Sequence, residues 1–105
     1  MTQVMVRYKV KPDRVAENER IVRDVYAELR ATNPGGFRYV TFHLDDGVTF
    51  IHLALVESDD GQSPLSSVEA FQRFQDNIAE RCDEPPVVTR IHEVGSYRVF
   101  GDDWT

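Results

Sequence analysis

Two side chains in this sequence are polar where their neighbours are apolar. His52 lies inside the run Thr49-Phe50-Ile51-His52-Leu53-Ala54, and Asn18 interrupts the helical spacing Val15, Asn18, Val22. An imidazole titrates close to neutrality, so beside a phenol it can take the phenolic proton. That proton transfer is the first step in oxidising an aromatic substrate without a cofactor. On this reading His52 is the base, and Asn18 and Tyr39 position the substrate. The alternative is that His52 is a satisfied histidine in a subunit interface and Asn18 a hydrogen-bonded amide at the rim of a packed layer. Phe71, Phe74 and Tyr8, with His43, are candidates to contact a substrate, although aromatic residues at helical spacing also serve as core. A metal site would need His43, His52 and either Asp45 or His92. No close His or Cys pairing supports one, so neither a metal nor a tightly bound cofactor is expected. Arg7, Lys9, Arg38 and Arg90 could meet an anion but are expected to pair with carboxylates. Cys82 reads as a small apolar group.

The elements that must carry these residues follow from periodicity. Gln3 to Val10 alternate, with the even positions apolar, which predicts a half-buried strand. Lys11-Pro12-Asp13 opens a helix with Asp13 as its N-cap, and Val15, Asn18, Val22, Val25 and Leu29 form its inner stripe. Asn33-Pro34-Gly35-Gly36 stops it near Thr32. Residues 37–45 and 48–57 predict two strands joined by a two-residue Asp46-Gly47 turn of type I′. Residues 58–64 read as an exposed acidic loop. A second helix is expected from Ser66, with Ser66 and Glu69 at capping-box spacing. Its stripe is Phe71, Phe74, Ile78 and Cys82, and Pro85-Pro86 ends it. Residues 87–94 and 97–100 complete a last strand, bent at Gly95. The order is strand, helix, strand, strand, helix, strand. It predicts an α+β fold, a ferredoxin-like βαββαβ sandwich whose four-stranded antiparallel sheet carries both helices on one face.

The hairpin strands lack a clean polar side. The predicted register sets Phe42 opposite Ile51, so one face carries Val40, Phe42, Leu44, Ile51, Leu53 and Leu55. The other carries Phe37, Tyr39, Thr41, His43, Phe50, His52, Ala54 and Val56. Helices can cover only one of these faces, and a shift of one residue in register would exchange them. A second copy packed on the open face would bury the remaining apolar surface. A homodimer through the sheets is therefore expected, and loss of Phe50 or Leu53 should weaken it. The segment Ser96 to Phe100 is placed to reach the partner sheet.

Composition narrows the function classes. The 105 residues form a single domain, 1–105, with 12 basic and 18 acidic residues and a net charge of −6. Such a chain lacks the basic footprint that nucleic acid or an anionic membrane requires. Val alone occurs 14 times, which favours strands. One cysteine excludes an internal disulfide and fits a cytoplasmic protein. There is no signal-peptide pattern, no membrane-length apolar run, no repeat and no glycine-rich phosphate loop.

The order of elements, the opening Val6-Arg7-Tyr8-Lys9-Val10-Lys11-Pro12 and the strand Thr49-Phe50-Ile51-His52-Leu53-Ala54 resemble the antibiotic biosynthesis monooxygenase-like families of the dimeric α/β-barrel superfamily. The resemblance spans roughly residues 3–100. It implies a ferredoxin-like protomer, a dimer whose two sheets form a barrel, and a pocket between each sheet and its helices. It further implies cofactor-independent oxidation of a small aromatic or polyketide-like compound, with a pocket Asn orienting substrate or oxygen, a role that would fall to Asn18. Polyketide-cyclising relatives suggest that His52 could instead assist an aldol-type cyclisation. Haem-degrading members need a His on the second helix and a pocket Trp. This chain has no His between Ser66 and Cys82, and its only Trp is Trp104 in the tail. The competing class is a non-catalytic small-ligand-binding or dimeric structural protein.

Overall fold

Alternation in the first strand does what the pattern requires: Tyr8 and Val10 are fully buried, Lys9 between them is only partly so, and Arg7 is exposed. The computed structural model describes residues 2–57 and 64–99. β1 (Thr2–Val10) is followed by a 3₁₀ turn (Pro12–Arg14), α1 (Val15–Thr32), β2 (Phe37–His43) and β3 (Thr49–Val56). A second 3₁₀ turn (Pro64–Ser67), α2 (Glu69–Asp76), the one-turn α3 (Ile78–Arg81) and β4 (Cys82–Arg90) complete the chain. The strands form one antiparallel sheet in the order β2-β3-β1-β4, so each outer strand is reached by a crossover. This is the ferredoxin-like arrangement predicted from the sequence. The acidic loop predicted at 58–64 falls, except for Pro64, outside the described residues, as do Phe100 and the Trp104 tail.

The hairpin register is the one that the apolar pattern implied, with Phe42 opposite Ile51 and Thr41 opposite His52. Its turn differs. The Gly47 N–H closes onto the Leu44 carbonyl at 3.0 Å, giving a four-residue turn in which Gly47, at φ 83°, takes the positive dihedral alone. The Asp46 carboxylate explains the change. It accepts the N–H groups of Val48 (3.0 Å) and Thr49 (2.8 Å) and the Thr49 hydroxyl, bonds that a type I′ turn would not offer. These bonds, led by the Thr49 hydroxyl, hold the Asp46 pKa down at about 2.

The helices depart from expectation at their ends. Asp13 does not cap α1; it lies in the 3₁₀ turn, and Arg14 at the cap position makes no side-chain capping bond. Asn33 ends α1 in the left-handed region at φ 48°, its N–H bonded to the Leu29 carbonyl at 2.7 Å. The second helix is broken at Asn77, and Ser66 does not cap it. Glu28 of α1 does so from the neighbouring helix, accepting the N–H groups of Glu69 and Ala70 at 3.0 Å each. A carboxylate here satisfies two orphan donors and the positive end of the helix dipole together. Glu28→Ala should therefore cost about 1–2 kcal/mol. An unchanged urea midpoint would show that the cross-helix cap does not stabilise the fold.

Pro85-Pro86 do not terminate the second helix; they lie within β4, which starts at Cys82 and ends at Arg90. Prolines are tolerated there because β4 lies at the sheet edge and its pairing with β1 is irregular between Arg7 and Lys9. Residues 91–99 are not strand, although Ile91 and Glu93 still bond to Gln3.

Helices pack on the face that carries Tyr8, Val10 and Phe50, with Val22, Val25, Val68 and Phe74 completing the core. Phe50 is thus a core residue and is not available at a sheet-to-sheet interface. The opposite face presents Val40, Phe42, Ile51, Leu53 and Leu55 alongside Met5 and Val87. Val87 is 61% exposed and Phe42 41%.

Candidate active site

The site begins with three strand positions in register on the helix-facing side of the sheet. Thr41, His52 and Val6 form one cross-strand row; Tyr39, Ala54 and Val4 form the next. β3 lies between β1 and β2, so the His52 ring is flanked by side chains from both. Tyr8, diagonal on β1, places its hydroxyl 2.8 Å from His52 Nε2. Tyr39 on β2 places its hydroxyl 2.6 Å from Nδ1, and Thr41 Oγ1 lies 3.1 Å from the same nitrogen. Both ring nitrogens are engaged, and the residue is only 4% exposed.

The network continues under the helices. Asn18 Nδ2 donates to the Tyr8 hydroxyl at 2.9 Å, and Arg81 Nε donates to Asn18 Oδ1 at 3.0 Å. Asn18 is where the sequence put it, on the inner stripe of α1, and it is fully buried. Arg81 is also fully buried, its Nη2 donating to the Phe74 carbonyl at 3.2 Å and its guanidinium 5.3 Å from the Phe74 ring centre. Among the described residues its hydrogen bonds go to neutral oxygens, and its Nη1 is a buried polar atom without a partner. At the other end, the Tyr26 hydroxyl lies 2.8 Å from Thr41 Oγ1.

Burial sets the ionisation states. It pushes His52 down to about 4, so the imidazole is neutral at pH 7. Burial also raises the hydroxyls of Tyr8 and Tyr39 well above the ordinary phenol value, and Tyr26 to about 12. Arg81 is lowered, again by burial, yet a guanidinium remains charged.

Beside His52 lies a cavity of about 620 Å³, between the sheet and α2. Tyr39 and His52 supply polar groups in an apolar wall that includes Val4, Val6, Phe71 and Phe74. Val88 of β4 also lines the cavity and is 66% exposed. Its size suits a ligand of two or three fused rings.

Of the residues singled out from the sequence, the structure brings His52, Tyr39, Asn18 and Tyr8 into one network and places Phe71 and Phe74 on the cavity wall. Tyr8 stands behind His52 and does not line the cavity. His43 is also outside it, at the exposed end of β2, stacked on Phe50 with ring centres 4.3 Å apart and bonded to Glu19 at 2.8 Å. Tyr26 faces a separate depression of about 230 Å³ with Leu29 and Phe37. Lys9 pairs with Glu84 at 3.8 Å. Cys82 is half-buried at the start of β4. No cluster of three or more His, Cys, Asp or Glu residues occurs among the described residues. Arg81 was missed, although its spacing from Phe74 and Ile78 (seven and three residues) puts it on the same helical face.

Comparison with solved structures shows what kind of frame holds this network. An antibiotic biosynthesis monooxygenase crystal structure superposes with a TM-score of 0.74 at 17% identity, covering 90% of this chain and 100% of that one. The chain has the antibiotic biosynthesis monooxygenase fold. Rv0793 from Mycobacterium tuberculosis shares that fold at a TM-score of 0.73 and 17% identity, over 90% of this chain and 96% of its own. A variant of SnoaB, a cofactor-independent oxygenase from Streptomyces nogalater, matches at 0.63 and 15%, over 90% and 94%. No family profile matches the sequence. No curated protein matches it either. At these identities the antibiotic biosynthesis monooxygenase likeness is one of fold. No helix among the described residues is long and apolar enough to cross a membrane.

Proposed function

We propose that this chain is a cofactor-independent oxygenase for a small aromatic or polyketide-like compound, acting as a homodimer. The observation that carries the reading is the apolar cavity with Tyr39 and His52 in its wall. The occurrence of a cofactor-independent oxygenase among the structures of this fold supports it. Both His52 nitrogens already have hydroxyl partners, so His52 acts on the substrate through Tyr39 rather than as a base in direct contact. A substrate whose ring carries an acidic methylene or hydroxyl loses its proton to water, and the Tyr39 hydroxyl stabilises the resulting oxyanion. The substrate anion gives electrons to O2, and a C–O bond forms to give a peroxide. The peroxide takes back a proton from water, and loss of the remaining C–H hydrogen as a proton, with cleavage of the O–O bond, leaves a carbonyl on carbon and releases hydroxide. The substrate supplies all the electrons, and the net change is CH2 plus O2 to C=O plus water.

Anthrone tests this chemistry because it has one activated methylene between aromatic rings. The expected result is catalysed oxygen uptake with formation of the quinone. Tyr39→Phe should lower kcat by roughly 100-fold, in line with the loss of one oxyanion donor, and leave KM nearly unchanged. Uptake equal in wild type and variant would remove Tyr39 from the mechanism. A non-catalytic binding protein is the second reading, favoured by a hydrogen-bond network that is complete without a ligand. Saturable binding of anthrone with no oxygen uptake would decide for it.

A further inference from the structure

We infer that Arg81, from the far end of the buried network, fixes which nitrogen of His52 carries the proton and thereby makes Tyr39 a donor at the cavity. The argument uses only which atoms can donate. A guanidinium has no acceptor, so the atom of Asn18 that faces Arg81 Nε must be the amide oxygen. The Asn18 NH2 is then the group that faces the Tyr8 oxygen, and it donates. Tyr8 has one proton, and the acceptor open to it among its partners is His52 Nε2. A neutral imidazole carries a single N–H, so that hydrogen lies on Nδ1. It is donated to Tyr39, at 2.6 Å, and shared with Thr41 at 3.1 Å. The Tyr39 hydroxyl proton is left for Thr41 or for an oxygen bound in the cavity.

Every bond from Arg81 to Tyr39 therefore points the same way, and aligned hydrogen bonds polarise one another. The chain begins at a buried cation that has no carboxylate among its hydrogen-bond partners in the described residues, and it ends at a hydroxyl made a better donor. The reverse order would have Tyr39 donate to Nδ1 and Nε2 donate to Tyr8. Tyr8 would then have to donate to Asn18, which would turn the amide nitrogen toward Arg81 and leave two donors facing each other. Arg81 is thus a positioning residue, acting through three side chains on a fourth. Only its consequence in the cavity rests on the oxygenase reading; the direction of the chain does not.

Nitrogen NMR of His52 tests this directly, because protonated and unprotonated ring nitrogens give distinct resonances. In the wild-type protein the expected result is a pyrrole-like Nδ1 and a pyridine-like Nε2. Asn18→Asp keeps the shape but offers only acceptors, so Tyr8 should donate to the new carboxylate and the His52 proton should move to Nε2. Arg81→Met should allow both orders and give a mixture. Wild-type protein protonated at Nε2 overturns the inference whatever the variants do, as does either variant, folded, holding the proton wholly on Nδ1. Oxygen uptake is read separately. Its absence alongside Nδ1 protonation defeats the oxygenase reading alone, and its presence alongside Nε2 protonation defeats the Arg81 assignment alone.

Discussion

Lowering the pH from 6.5 to 4 is expected to remove about 3 kcal/mol of stability through His52 alone. A solvated imidazole titrates near 6.5, and burial holds His52 at about 4 in the native protein. Between these limits the unfolded chain binds a proton that the folded chain does not. Stability therefore falls as pH falls, and the loss levels off once the native imidazole protonates near 4. At about 1.36 kcal/mol per pH unit, the interval amounts to about 3 kcal/mol. The sign is opposite to that of a histidine stabilised by a carboxylate, because Tyr8, Tyr39 and Thr41 offer no charge to an imidazolium. Urea midpoints between pH 6.5 and 5, above most carboxylate titrations, read the effect, with the His52 resonance followed in parallel. A flat midpoint, or a His52 resonance titrating near 6.5, would contradict the buried neutral ring.

The two faces of β3 should respond in opposite ways to truncation. Phe50 is 2% exposed and stacks on Tyr8 with ring centres 5.6 Å apart, as well as on His43. Phe50→Ala should cost about 3–5 kcal/mol through lost burial and the void left behind. It should leave self-association unchanged once the protein is folded. Leu53, on the uncovered face between Val40 and Met5, should show the converse. Leu53→Asp should weaken a sheet-to-sheet dimer by at least about 100-fold, because a carboxylate buried in an apolar interface is costly. Its effect on protomer stability should be small. Sedimentation equilibrium decides the matter, and a monomeric wild-type protein would end the dimer proposal.

The elements readable in the sequence were those set by local pattern. The alternation of β1, the inner stripe of α1 and the Phe42–Ile51 register all follow from spacing within one segment or across one short hairpin. Asn18 was legible for the same reason, as a polar residue in an apolar stripe. What the sequence could not show is which hairpin face the helices would cover, since both are apolar; the packing of Phe50 against Tyr8, which in turn meets Phe74 of α2, decides that. Pairings between distant residues were equally hidden. Tyr8 meets His52 across β1 and β3, and Glu28 caps a helix some 41 residues downstream. Arg81 was overlooked because an arginine at a helix end usually points to solvent. Its place on the Phe74–Ile78 face was the available signal. Pro85-Pro86 misled because prolines stop helices more often than they sit in strands.

Those two prolines also bear on how copies of this chain can grow into larger assemblies. An outer strand with a free row of N–H and C=O groups can recruit another strand, and repetition of that contact makes an open-ended fibre. Successive prolines in β4 delete two donors from its backbone, and the irregular pairing beside them bends the ladder out of line. Lateral addition at β4 thus meets a gap in hydrogen bonding where a fibre would need continuity. In the proposed dimer, contact across the apolar face would close on itself after two subunits. A pair of residues read from sequence as a helix stop thereby acts in the folded sheet as a guard against polymerisation.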